Sequence, residues 1–199
     1  MLVVIHGRSN LDYAANKDDR RSISGGRVCL EGCPVTFRSN TQKFVTLSVT
    51  EAEGAAGVIT AQDMLYVYRL LESIGLQVEL PMFLEMDNKG AVDLANNWSV
   101  GGRTRHLDVR NHFLRDLKDE GLLIIRHVPG DENDADIFTK NVTGPIFQRH
   151  LPTFVGTDKY MEEEPEARYG VRRCLCTYST CVVEVRGYLA GTTKAVFSP

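Results

Sequence analysis

Hydrophobic residues recur along the chain with two different periods, and the changes between them mark the elements. Leu2 to Ser9 opens on a Leu-Val-Val-Ile run that suits a buried strand, with Gly7 weakening its end. Ser22 to Leu30 mixes β-branched residues with glycines, and Pro34-Val35-Thr36-Phe37 follows the turn Glu31-Gly32-Cys33, which predicts a β-hairpin. Ser48 with Glu51 forms a capping box and Gly75 supplies a stop, so a helix of about six or seven turns is expected between them. Ala52, Ala55, Ala56, Ile59, Tyr66, Leu70 and Ile74 fall on one predicted face of it, with Asp63 as the polar interruption.

The run Met82-Phe83-Leu84 continues through Met86 and stops at Asp87-Asn88, a buried central strand ending in a carboxylate. Lys89 to Asn97 suits a short helix, and Arg105 to Glu120 an amphipathic one closed by Gly121. Leu122 to Val128 reads as a further strand turned by Pro129-Gly130, after which Asp131 or Asn133 can cap a last short helix, Asp134 to Lys140. Strands in a run followed by alternation with helices imply an α/β fold with a mixed sheet flanked by helices. From residue 161 the texture becomes acidic and then aperiodic. A domain over 1–160 is therefore expected, with 161–199 a tail of uncertain order whose Val and Tyr residues could form a strand pair.

Composition narrows the function classes. With 199 residues, 43% of them hydrophobic, the chain can bury one sizeable core and hardly two. A net charge of -3 gives no global positive field, so contact with nucleic acid would need a local patch. Arg103, Arg105 and Arg110 with His106 and His112 form the dense basic cluster; its plainer reading is a solvated face paired with Asp108 and Asp116. No run approaches the ~18 apolar residues of a membrane span, and Met1 to Ile5 is too short for a signal peptide, so an intracellular, soluble protein is expected. The five cysteines are an odd count, best read as free thiols, and Cys174, Cys176 and Cys181 lack partners at zinc-site spacing.

Four acidic positions matter for where they fall. Asp87 ends a buried strand, Glu53 lies in the first turns of the long helix, Asp136 in the first turn of the last helix, and Asp12, or its neighbour Asn10, follows the first strand. If the first and fourth strands are neighbours, these groups converge. Crowded carboxylates repel, and divalent cations resolve the conflict: Mg²⁺ takes hard oxygen ligands, and two ions ~4 Å apart can activate a water and stabilise a leaving oxygen. Taken singly, each acid is better read as a solvated surface group or a helix-end charge. His127 could act in proton transfer near Asp136, though a lone histidine at a strand end is more often structural.

The stretches Gly7 to Ala14 and Asp19 to Gly25 resemble the GYSDADWA and DRRSTSGY that open the ribonuclease H domain of copia-type LTR retrotransposon polyproteins. Leu47 to Glu53 is similar to its LSSTEAEY, Met86 to Ala91 to its CDNQSA, Arg103 to Phe113 to its RTKHIDIRYHF, and Ala135 to Lys140 to its ADIFTK. The resemblance implies a ribonuclease H-like fold with a mixed five-stranded sheet. It also implies endonucleolytic cutting of RNA in RNA/DNA hybrids during reverse transcription, with two Mg²⁺ ions for which Mn²⁺ can substitute. Glu53, Asp87 and Asp136 would be metal ligands, Glu53 being preferred to Glu51 because Glu51 suits the cap. Asn88, Arg103, Arg105, His106 and Arg110 would meet the hybrid. The partner would be the reverse transcriptase part of the same polyprotein, and the setting a cytoplasmic virus-like particle or the nucleus.

The chain departs from that family at the first carboxylate: the leading Asp is Asn10 here, while Asp12 matches the second Asp. A neutral amide is a weaker Mg²⁺ ligand, so metal binding and turnover should both suffer. Gly54 and Gly26 replace aromatics, and Gly57 adds another helix glycine at about 1 kcal/mol relative to Ala, which suggests a core loosened by drift. The alternative is a non-catalytic relic that keeps the fold and hybrid binding. An integrase of the same superfamily fits worse, because its Glu lies late in the chain.

Overall fold

The structure is a computed structural model that describes residues 2–96, 105–155, 174–177, 180–186 and 192–197, with side chains for 2–96 and 112–154. It divides into two bodies, Leu2–Val142 and the residues from Thr143 onward.

In the first body, β2 (Ile5–Asp12), β3 (Ile23–Leu30), β4 (Cys33–Thr41), β6 (Met82–Met86) and β7 (Leu123–His127) form a mixed sheet in the order β4-β3-β2-β6-β7. β1 (Leu2–Val3) pairs in parallel with β5 (Gln77–Val78) as a separate two-stranded ladder. The hairpin between β3 and β4 turns at Glu31 and Gly32, both with positive φ, the geometry of a two-residue turn that matches strand twist. β2 pairs antiparallel with β3 and parallel with β6, so the first and fourth predicted strands are indeed neighbours.

The parallel crossovers run through helices. α1 (Val49–Ser73) joins the hairpin to β6, and α2 (Lys89–Asn96) with α3 (Arg105–Asp119) joins β6 to β7. Ser48 caps α1 by accepting from the Glu51 N–H at 3.1 Å, while the Glu51 carboxylate accepts from the Leu47 N–H at 3.0 Å. Gly75 and Gly121 stop α1 and α3 in the left-handed region that favours glycine. The main core lies between the sheet and these helices, around Ile5, Met64, Met82, Leu84, Met86, Leu114 and Leu123.

The buried stripe of α1 differs from the predicted one. Ala52, Ala55 and Ala56 are buried, but Tyr66 and Ile74 are 67% and 63% exposed and Leu70 also faces outward. Glu53, Gly57, Thr60, Ala61, Met64 and Leu71 take the inner face. Small and polar residues can line that stripe because the helix lies close to the sheet: a Cβ on Gly26 of β3 would collide with Thr60, and one on Gly57 would meet the Met86 side chain at 3.0 Å. Gly26 and Gly57 are therefore contacts of a tight interface, which corrects the reading of a loosened core. Asp63, the polar interruption, pairs with Arg38 of β4.

On the opposite face of β3, Gly25 lies under a 3-10 helix (Asp134–Phe138), where a Cβ would stand 2.6 Å from Thr139. This 3-10 helix replaces the longer helix expected over Asp134 to Lys140. Its N-cap is Asn133, whose side-chain oxygen accepts from the Ala135 N–H and whose amide donates to the Ser9 carbonyl, tying the element to β2. The second body contains α4 (Gly144–Val155) and an antiparallel sheet in the order β10-β9-β8, from β8 (Cys174–Thr177), β9 (Thr180–Arg186) and β10 (Thr192–Phe197). Three strands thus stand where the sequence pattern offered at most a pair.

Candidate active site

The last paired step of β2 against β6 is Ser9 with Met86, so Asn10 and Asp87 continue the register side by side. Both Asn10 and Asp12 belong to β2 itself and do not follow it, because β3 pairs with β2 as far as Asp12. Asp12 lies two residues, about 7 Å, beyond Asn10 and past the end of β6. Residue 10, not 12, therefore occupies the place beside Asp87.

Asn10 is buried, and its amide N–H donates to Asp136 Oδ1 at 2.5 Å. Its own oxygen accepts the Leu11 N–H at 2.7 Å, so the donors of the amide point toward the acid. Lys140 Nζ, four residues on and past the end of the 3-10 helix, reaches the same Asp136 Oδ1 at 2.7 Å. The neighbouring Asp134 is buried in a fork of two guanidinium bonds from Arg27, at 2.5 and 2.6 Å, with Arg8 at 3.3 Å; it anchors the element that carries Asp136.

Glu53 enters from the first turns of α1 and is only 4% exposed. Burial, then the Asp87 charge and a hydrogen bond shared with it, push its carboxyl up to about 9; Asp136 adds to this and Lys140 opposes it. Burial first, and then Asp136, also raise Asp87, while the Glu53 hydrogen bond and Lys140 pull it down. With both carboxyls ionised, the buried Glu53 Oε2 has no hydrogen-bond donor. A proton shared with Asp87 removes that cost, and a cation would do the same.

Among the described residues no group of three or more His, Cys, Asp or Glu converges on one metal position. Of the acids expected from the sequence, Glu53, Asp87 and Asp136 interact with one another and Asp12 does not join them. Glu53 and Asp87 meet directly, Asp136 is near but engaged by Asn10 and Lys140, and Asp12 stands apart. A pair of hard carboxylates with one orphaned oxygen does fit a single Mg²⁺ or Mn²⁺, which needs only one or two carboxylates besides water and phosphate.

His127 Nε2–H donates to the Asp87 carbonyl at 3.1 Å, so the ring sits at the rim of the site and braces the strand end. Asn88, expected to meet nucleic acid, caps α2 by accepting the Ala91 N–H. Arg103 lies outside the described residues, as do the side chains of Arg105, His106 and Arg110. Asn133, one of the two caps the sequence offers, is the N-cap found. Lys140 is the site residue that the sequence reading does not single out, although its spacing of four from Asp136 is a legible signal.

No family model matches the chain. It is 35% identical over 146 residues to the retrovirus-related Pol polyprotein from transposon TNT 1-94 of Nicotiana tabacum, covering 73% of this chain and 11% of that protein. It is 33% identical over 144 residues to the Pol polyprotein from transposon RE1 of Arabidopsis thaliana, covering 72% and 10%. The chain thus spans about a tenth of the length of these relatives. Among solved structures, LC11-RNase H1, isolated from compost by a metagenomic approach, matches with a TM-score of 0.51 at 18% identity, over 75% of this chain and 98% of that one. A mixed five-stranded sheet, helices on its face and this fold likeness agree with one another: the chain belongs with the retrovirus-related Pol polyproteins of plant transposons, as a segment with the ribonuclease H fold.

Proposed function

We propose that this chain is the ribonuclease H domain of a copia-type polyprotein. In this reading it cuts the RNA strand of an RNA/DNA hybrid during reverse transcription, using Mg²⁺ or Mn²⁺, at a rate limited by Asn10. The observation that carries the reading is the meeting of Glu53 from α1, Asp87 from the end of β6 and Asp136 from the 3-10 helix beside Asn10 of β2. Its natural partner is the reverse transcriptase of the same polyprotein.

Glu53 and Asp87 would hold the divalent cation. When bound, it supplies charge neutralisation at a phosphate and a more acidic water. Asp136 contributes negative charge behind them, restrained by the Asn10 amide and the Lys140 ammonium. Lys140 is half-exposed and can meet a phosphate oxygen of the hybrid. His127 keeps the Asp87 backbone in place. The amide at position 10 offers donors where a ligand would have to offer lone pairs.

The test is cleavage of a hybrid with labelled RNA by the unaltered chain and by Asn10→Asp. The variant should be faster by at least the order of tenfold that even outer partners of a metal site are worth. Equal rates would show that residue 10 contributes nothing. Retention of the hybrid on a gel without cleavage by either protein would establish the second reading, a non-catalytic relic, which the two donors on Asp136 Oδ1 favour.

A further inference from the structure

A site of four carboxylates is balanced by two divalent cations. Here Glu53, Asp87 and Asp136 carry three negative charges when ionised, Asn10 carries none, and Lys140 adds one positive charge on Asp136. Two negative charges remain, the balance of one divalent ion. The geometry agrees with the count. Asp136 Oδ1 already receives an amide N–H at 2.5 Å and an ammonium at 2.7 Å, and the Asn10 oxygen is spent on the Leu11 N–H. A second cation between residue 10 and Asp136 would face donors on both sides. The buried Glu53 Oε2, by contrast, has no donor on it, which points to a ligand at the Glu53–Asp87 end.

We propose that Lys140 occupies the electrostatic place of a second metal ion, so that the site takes one divalent cation, at Glu53 and Asp87, and the Lys140 ammonium competes with it. This rests on reading Glu53 and Asp87 as the cation-binding pair of a ribonuclease H. Lys140 has two opposed roles with different signatures. As a brace for Asp136 it would help the site, and its loss would weaken cation binding. As a resident positive charge it works against an incoming cation, and its loss would strengthen binding. Its side chain is half-exposed, so exchange for an uncharged residue leaves the packing intact.

The experiment is Mn²⁺ titration of the whole chain, counted by electron paramagnetic resonance, alone and with an RNA/DNA hybrid whose RNA strand is 2′-O-methylated and so resists cleavage. The unaltered chain should bind one Mn²⁺ in both cases, after subtracting the hybrid's own sites. Lys140→Gln should bind one Mn²⁺ about tenfold more tightly, and Lys140→Arg should stay at the original affinity. Asn10→Asp combined with Lys140→Gln should bind two with the hybrid present. Two ions, or none, in the unaltered chain overturn the proposal, and so does a Lys140→Gln variant of equal or weaker affinity. Circular dichroism of each variant checks that it is folded. Loss of hybrid cleavage with these Mn²⁺ results intact would refute the nuclease reading and leave the cation count standing.

Discussion

Glu53→Gln should stabilise the metal-free protein, and increasingly so as pH rises. Glu53 has an ordinary carboxyl value of 4.5 in the unfolded chain and one of about 9 in the folded site. A raised carboxyl value means that the folded state favours the protonated acid. The stability it contributes is complete below about pH 4.5 and is lost as pH rises toward 9. From 4.5 to pH 7 is 2.5 pH units, and at ~1.4 kcal/mol per unit the loss is at most about 3.5 kcal/mol. Gln cannot ionise, and its amide can donate to Asp87. For a body of this size the gain corresponds to roughly 10 °C in Tm. Thermal melts in EDTA at pH 5, 7 and 8.5 measure it: the two proteins should melt close together at pH 5 and diverge above it. A Gln variant that is less stable at pH 8.5, or a gap that does not change with pH, would refute the reasoning. Saturating Mg²⁺ should close the gap, because the ion binds the ionised pair and stabilises the native state by mass action.

Other substitutions probe the frame. Asp134→Ala leaves the buried Arg27 guanidinium unpaired and should cost about 3–5 kcal/mol in urea unfolding; a loss below about 1 kcal/mol would mean that Arg27 finds water. Gly26→Ala should cost about 1–3 kcal/mol through its collision with Thr60, and Thr60→Ala in the same chain should recover much of it, whereas simple additivity would sink the account. Asp12→Asn should leave Mn²⁺ affinity within about twofold, since Asp12 lies past the end of β6; a tenfold loss would return Asp12 to the ligand set.

The local chemistry of the chain determined the elements. Alternation and apolar runs marked β2, β3, β4, β6 and β7 but not the short β5, Ser48 with Glu51 set the start of α1, and Gly75 and Gly121 set two stops, all through interactions among residues a few positions apart. The ordered motifs also singled out Asn10, Glu53, Asp87 and Asp136, which the fold then brings to one place. What the sequence could not contain was the outcome of long-range pairing. The register of β2 on β6 chose Asn10 over Asp12. The close seat of α1 on the sheet turned Glu53 and Thr60 inward and Tyr66 and Ile74 outward, against their hydrophobicity. Asp134 met Arg27 across 107 positions of chain, and Lys140 met the oxygen that Asn10 had also taken. Periodicity reports which residues can share a face; only the packed sheet decides which face is buried and which charges share an oxygen.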